Sequence, residues 1–155
     1  MKLYLVRHGE AVPKTRDPEQ PLSARGVADV ERLAGVLARR GVRAARVVHS
    51  GKTRARETAD ILARALAPGT EIAARHGLAP NDPVEAFAAE IADWSDDAVV
   101  VGHLPFMAGL VSRLVAGNER AGVVDYAPGA VACLERVDDG AWTIAWMLRP
   151  DLLPG

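Results

Sequence analysis

LVRHGE, residues 5–10, ends an apolar run abruptly on an arginine, a histidine, a glycine and a glutamate. A buried strand that stops on two basic side chains and a residue free to turn is built to present something at its end. Two other stretches have the same layout. VVHSGKTRAR (47–56) and VVVGHLPF (99–106) are both apolar runs that end in histidine where a helix or loop begins.

Between these runs the pattern alternates. KLYLV reads as a strand. Residues 24–40 place Val27, Val30, Leu33, Ala34 and Leu37 at helical spacing, with Ser23 as N-cap and Gly41 past the end. ARVVH (45–49) reads as a strand and TRARETADILARAL (53–66) as a helix. EIAA (71–74) reads as a short strand, and DPVEAFAAEIADW (82–94) as a helix opened by aspartate and proline. AVVVGH (98–103) is a strand and 104–117 a helix closed by Gly117. VACLERV, a DDG turn and WTIAWML form a hairpin in which Trp142, Ile144 and Trp146 share one face. The stretches 11–21 and 75–83 are rich in proline and polar residues and read as loops. Repeated strand–helix units predict a three-layer α/β/α fold. Its central sheet is mainly parallel, with the antiparallel C-terminal hairpin at an edge. One domain is expected over residues 1–155.

Open α/β sheets bind ligands beyond the carboxyl ends of their strands. Parallel strands would bring Arg7, His8, His49, Ser50, Arg54 and His103 to one edge, although they span almost a hundred positions. Arginines offer forked donors for phosphate oxygens. The helix starts after Ser50 and His103 add free N–H groups, and Gly9 and Gly51 permit tight turns or close approach. Together these favour a dianion such as a phosphoryl group, or a phosphate or sulfate ion. A neutral imidazole is a competent nucleophile near pH 7.

The rest of the chain bounds the reading. A net charge of −1 advertises neither nucleic acid nor an anionic membrane. The single cysteine, Cys133, excludes an internal disulfide. No apolar stretch approaches the roughly 18 residues a spanning helix needs, so a cytoplasmic protein is expected. GKT at 51–53 mimics the end of a P-loop, but the required earlier glycine is Arg46. The four histidines lack ligand-like spacing, so no metal site is expected.

LVRHGE resembles the RHG signature of the histidine phosphatase superfamily, the phosphoglycerate-mutase-like family. PLSARG (21–26) resembles its PLTxxG segment and HSGKTRARETA (49–59) its SSPxxRAxxTA segment. GHLPFM (102–107) resembles the GHxP ending of the short, SixA-type phosphohistidine phosphatases. The resemblance implies that His8 is the phosphate-accepting nucleophile, that Arg7 and Arg54 bind phosphate, and that His103 is the second histidine of the pocket. It implies no metal or organic cofactor. Arg56 is assigned to the surface or rim, and Glu10 to the rim. His49 stands where the family has serine, and the sequence leaves both a pocket-lining and an incidental role open to it.

Larger family members carry a carboxylic acid after the second helix to protonate the leaving group. Here that region, HGLAPNDPVEAF, offers Asp82 and Glu85 without assigning either. The implied activity is removal of phosphate from phosphohistidine on a protein, such as a phosphotransfer domain, because no long insertion could form a lid. The alternatives are a phosphomonoesterase for small metabolites, with Asp82 as acid, and a non-catalytic phosphoprotein-binding module.

Overall fold

Strand β1 (Lys2–Arg7) lies inside a six-stranded sheet of order β3-β2-β4-β1-β5-β6. The computed structural model describes residues 1–155. The other strands are β2 (Arg46–His49), β3 (Ile72–Ala74), β4 (Ala98–Gly102), β5 (Val131–Arg136) and β6 (Trp142–Leu148). Strands β3, β2, β4 and β1 run parallel, and β5 joins β1 antiparallel, with β6 outside it. The mainly parallel sheet with an antiparallel hairpin at its edge is therefore as expected.

Helices α1 (Ala24–Arg39) and α2 (Thr53–Leu66) cover one face, and α3 (Val84–Ala92) and α4 (Phe106–Ala116) the other. Chain direction accounts for this division. From β1 to β3 the chain winds one way across the sheet, and after β3 it turns back to insert β4 between β2 and β1. Right-handed crossovers that run in opposite directions place their helices on opposite faces.

Each face has its own core, selected by the two-residue period of the strands. Tyr4, Val6, Val47, Val99 and Val101 pack with Val30, Leu33, Leu37, Leu62 and Leu66 under α1 and α2. Leu3, Leu5, Val48 and Val100 pack with Phe87, Ile91, Phe106 and Leu110 under α3 and α4. All five residues of β4 are buried, as its continuous apolar run requires between two covered faces.

Two local expectations are corrected. The hairpin tryptophans do not share a face. The β5–β6 register shifts between Cys133 and Leu134, which pair with Trp146 and Ile144, leaving Ala145 as the extra residue. This bulge reverses the alternation. Trp142 and Ile144 join the α3/α4 side, while Trp146 turns to the other face, its ring centroid 6.1 Å from that of Tyr4. In addition, α3 starts at Val84 with Pro83 as its N-cap. Asp82 does not cap it; its carboxylate accepts the Ala79 N–H at 2.9 Å, within its own loop.

No helix in the protein is long and apolar enough to cross a membrane.

Candidate active site

The register of the central strands assembles the site. Arg7 of β1 lies opposite Gly102 of β4, and the His8 N–H donates to the Gly102 carbonyl at 3.0 Å. His8 and His103 are thus carried past the ends of adjacent strands, with ring centroids 4.9 Å apart. Arg54, in the first turn of α2, points its Nε at His8 Nε2 from 3.4 Å. Ser50 Oγ lies 2.6 Å from His103 Nε2. Arg7 donates from Nη1 to the Tyr126 carbonyl at 2.7 Å, while its Nε is buried without a partner. Arg7, His8, Ser50, Arg54 and His103 therefore meet at one sheet edge.

The tautomer of His8 follows from its neighbours. Nδ1 lies 2.7 Å from the Gly9 carbonyl, which can only accept, so Nδ1 carries the proton. The Nε2 lone pair then faces Arg54. Burial, with the Arg54 and Arg7 charges behind it, pushes the His8 pKa down to about 4, although the Gly9 carbonyl works in the opposite direction. His103 is pushed down to about 3 by burial first, then by His8, Arg54, Lys52 and Arg7. Both rings are neutral at pH 7. Burial also lowers the pKa values of Arg7 and Arg54 from their ordinary value.

The loop after β1 is held by contacts that reach far along the chain. The Gly9 N–H donates at 3.1 Å to Thr58 Oγ1, and Thr58 Oγ1 donates at 2.8 Å to the Arg54 carbonyl. Thr58 is fully buried, so this single hydroxyl joins the residue after His8 to the backbone of Arg54. Ser23 caps α1 by accepting the Gly26 N–H at 3.0 Å, and its hydroxyl reaches the Glu10 carboxylate at 2.9 Å. Gly26 is obligatory here, because a Cβ on it would stand 2.1 Å from the Glu10 carbonyl oxygen. Gly9 is confined less severely, with a Val30 methyl 2.9 Å from where its Cβ would be. Its smallness serves helix α1 rather than a ligand.

Other candidates are placed elsewhere. His49 is buried on the α1/α2 face, as the alternation with Val47 dictates, and its Nδ1 accepts the Gly51 N–H at 3.0 Å. Burial lowers its pKa, with Asp60 and Arg56 as its charged neighbours. It steadies the turn at Gly51, whose φ is +92°, and makes no contact with His8. Glu10 is exposed and engaged with Ser23, and Arg56 is exposed. Glu85 forms a two-pronged exposed pair with Arg113 at 2.6 and 2.8 Å. No hydrogen bond or ion pair joins Asp82 or Glu85 to Arg7, His8, Arg54 or His103. No group of three or more His, Cys, Asp or Glu side chains is close enough together to hold a metal ion.

Sequence reasoning missed Thr58 and Tyr126. For Thr58 a signal existed, since it is the threonine of the RAxxTA pattern. Tyr126 had none, because its carbonyl meets Arg7 across 119 positions.

Comparison with known proteins places the chain among relatives. Residues 3–80 match the family model described as histidine phosphatase superfamily (branch 1). An uncharacterized protein of Picosynechococcus sp. is 30% identical over 166 residues, covering 96% of this chain and 99% of its own length. The structure of the protein histidine phosphatase SixA complexed with tungstate superposes with a TM-score of 0.86 at 24% identity, covering 97% of this chain and 98% of that one. A putative phosphohistidine phosphatase SixA from Agrobacterium tumefaciens superposes with a TM-score of 0.77 at 25% identity, covering 96% and 97%. The chain is a phosphatase and belongs to the histidine phosphatase superfamily, in its short, SixA-like form.

Proposed function

We propose that this phosphatase removes the phosphoryl group from a phosphohistidine on a protein, through a covalent intermediate at His8, within one domain spanning residues 1–155. The observation that carries the reading is the 2.7 Å contact of His8 Nδ1 with the Gly9 carbonyl, which assigns the ring's tautomer. Its proton is committed to the Gly9 carbonyl, and Nε2 faces Arg54 and His103.

In the first step the Nε2 lone pair attacks phosphorus and the substrate's P–N bond breaks. The departing imidazole nitrogen keeps the bonding pair and takes a proton from solvent. Arg7 and Arg54 bind the transferring oxygens, and the neutral His103 ring lies beside them. The phosphorylated His8 ring keeps its Nδ1 proton on Gly9 and is therefore cationic, which makes it a good leaving group. In the second step water attacks phosphorus, the His8–P bond breaks, and inorganic phosphate leaves.

Two features favour a phosphoramidate over a phosphomonoester. Neither Asp82 nor Glu85 is joined to the pocket, and an imidazole leaving group needs less help from an acid than an alkoxide does. The absence of a long insertion between the elements around the pocket suits a phosphoryl group displayed on a protein surface, such as a phosphotransfer domain. Within the cell the setting consistent with this partner is the cytoplasm.

The test is to offer the protein a phosphohistidine-bearing phosphotransfer domain, p-nitrophenyl phosphate and sugar phosphates. Turnover should be fastest on the phosphotransfer domain, with acid-labile phosphate trapped on His8 and none in His8→Ala. Faster hydrolysis of sugar phosphates would reassign the substrate. Phosphate release unchanged in His8→Ala would remove the mechanism.

A further inference from the structure

Among the residues around the phosphate pocket, Ser50 has no role in the chemistry just described. Yet its hydroxyl makes the shortest side-chain contact at the site, 2.6 Å to His103 Nε2. The other ring nitrogen, Nδ1, is buried with no partner. His103 itself is only 2% exposed.

A neutral ring carries one proton, and its two nitrogens are not equivalent here. A buried N–H without an acceptor is tolerated less well than a buried lone pair without a donor. The proton therefore belongs on Nε2, where Ser50 Oγ accepts it, and Nδ1 holds the bare lone pair. Ser50 is equipped to accept, because its position is fixed from its own backbone. The Lys52 N–H donates to the same Oγ at 3.3 Å, and the Gly51 N–H is tied to His49 at 3.0 Å. The Ser50 proton is then free to turn toward the partly exposed side of the residue.

We propose that Ser50 is a positioning residue that holds His103 in its Nε2–H tautomer and fixes the ring orientation. This keeps a hydrogen-bond donor ready for the phosphoryl oxygens. Before substrate arrives, Ser50 Oγ accepts that donor; with substrate in place, the same N–H is shared with a phosphoryl oxygen. The ring nitrogen partnered by a fixed group sets which nitrogen carries the proton, as is general for histidine. This inference rests on the phosphatase reading above for its consequence in catalysis, but the tautomer itself can be measured without turnover.

The experiment uses ¹⁵N-labelled protein and long-range ¹H–¹⁵N correlation of the histidine rings at pH 7. Wild type should show His103 with a protonated Nε2 and a pyridine-like Nδ1. Ser50→Ala should give a mixture of tautomers, and Ser50→Thr should restore the wild-type pattern. With p-nitrophenyl phosphate and a phosphohistidine protein as substrates, Ser50→Ala should lose about tenfold in kcat with KM nearly unchanged, and Ser50→Thr should recover most of it. A wild-type His103 protonated at Nδ1 would overturn the proposal without requiring any variant to fold. So would a Ser50→Ala protein with unchanged tautomer and kcat. If His8→Ala retains full turnover while the His103 pattern is as expected, the phosphatase mechanism fails and the Ser50 assignment stands.

Discussion

Replacing Thr58 by valine removes one oxygen from the interior and should be felt in both stability and catalysis. The fully buried hydroxyl accepts the Gly9 N–H at 3.1 Å and donates to the Arg54 carbonyl at 2.8 Å. Valine keeps the branched shape and leaves the Gly9 N–H without an acceptor. A buried donor stripped of its partner costs about 1–3 kcal/mol. For a chain of this size each kcal/mol lowers Tm by about 2–4 °C.

The catalytic loss should exceed what stability alone predicts. The same hydroxyl fixes the distance between the residue after His8 and the backbone of Arg54, and a displacement of about 1 Å at reacting groups costs roughly 100-fold. Thermal melts combined with kcat/KM measured well below Tm separate the two effects. Thr58→Ser keeps both hydrogen bonds and should retain most activity while losing only about 1 kcal/mol for its methyl group. In a double-mutant cycle, Thr58→Val should couple to Arg54→Ala by about 0.5–3 kcal/mol. If Thr58→Val matched Thr58→Ser in both melting and turnover, the strap between Gly9 and Arg54 would carry no weight.

Arg54→Ala should lower kcat/KM by roughly 100- to 1,000-fold through loss of a charged donor to the transferring group, and a value within about twofold of wild type would remove Arg54 from the site. On the mechanism proposed above His8 attacks unprotonated, and its pKa is pushed down to about 4, so kcat/KM, corrected for the substrate's own ionisation, should hold below pH 6.5 and fall only near pH 4; a break near 6.5 would contradict it. Because the folded pKa values of His8 and His103 lie below the unfolded value near 6.5, their stabilisation is complete above that pH and is lost as pH falls toward about 4 and 3. Urea titrations between pH 4 and 7 should show stability falling by up to about 1.4 kcal/mol per pH unit for each ring, and a flatter slope in His103→Gln. Gly26→Ala drives a methyl into the Glu10 carbonyl and should destabilise by about 1–3 kcal/mol; a wild-type melt would show that α1 can withdraw freely.

The sheet was legible because its strands are short apolar runs bounded by turn residues, and the meeting of Arg7, His8, Arg54 and His103 followed from strands that run parallel. His49 was grouped with the converging residues and its role left open; the structure sets it on the Gly51 N–H, on the same side of β2 as Val47. Three features were not legible. The bulge at Ala145 that turns Trp146 away from Trp142 reflects pairing with β5, and nothing local in WTIAWML announces it. Asp82 looks like a helix cap, but the Ala79 N–H competes for its carboxylate within a tight loop. The bonds that Thr58, Tyr126 and Ser50 make reach residues 49, 119 and 53 positions away, beyond any periodic signal, although Ser50 itself was placed at the converging strand ends and Thr58 stands in the RAxxTA pattern.

The late insertion of β4 between β2 and β1 has a consequence for synthesis. A nascent chain emerging from the ribosome carries Arg7, His8 and Arg54 well before His103 exists. Until β4 arrives, the space between those two strands has no occupant and no Gly102 carbonyl to anchor the backbone at His8. On the mechanism proposed above, a polypeptide that ends before β4 should therefore be inert, and competence should switch on only when the central strand closes the gap.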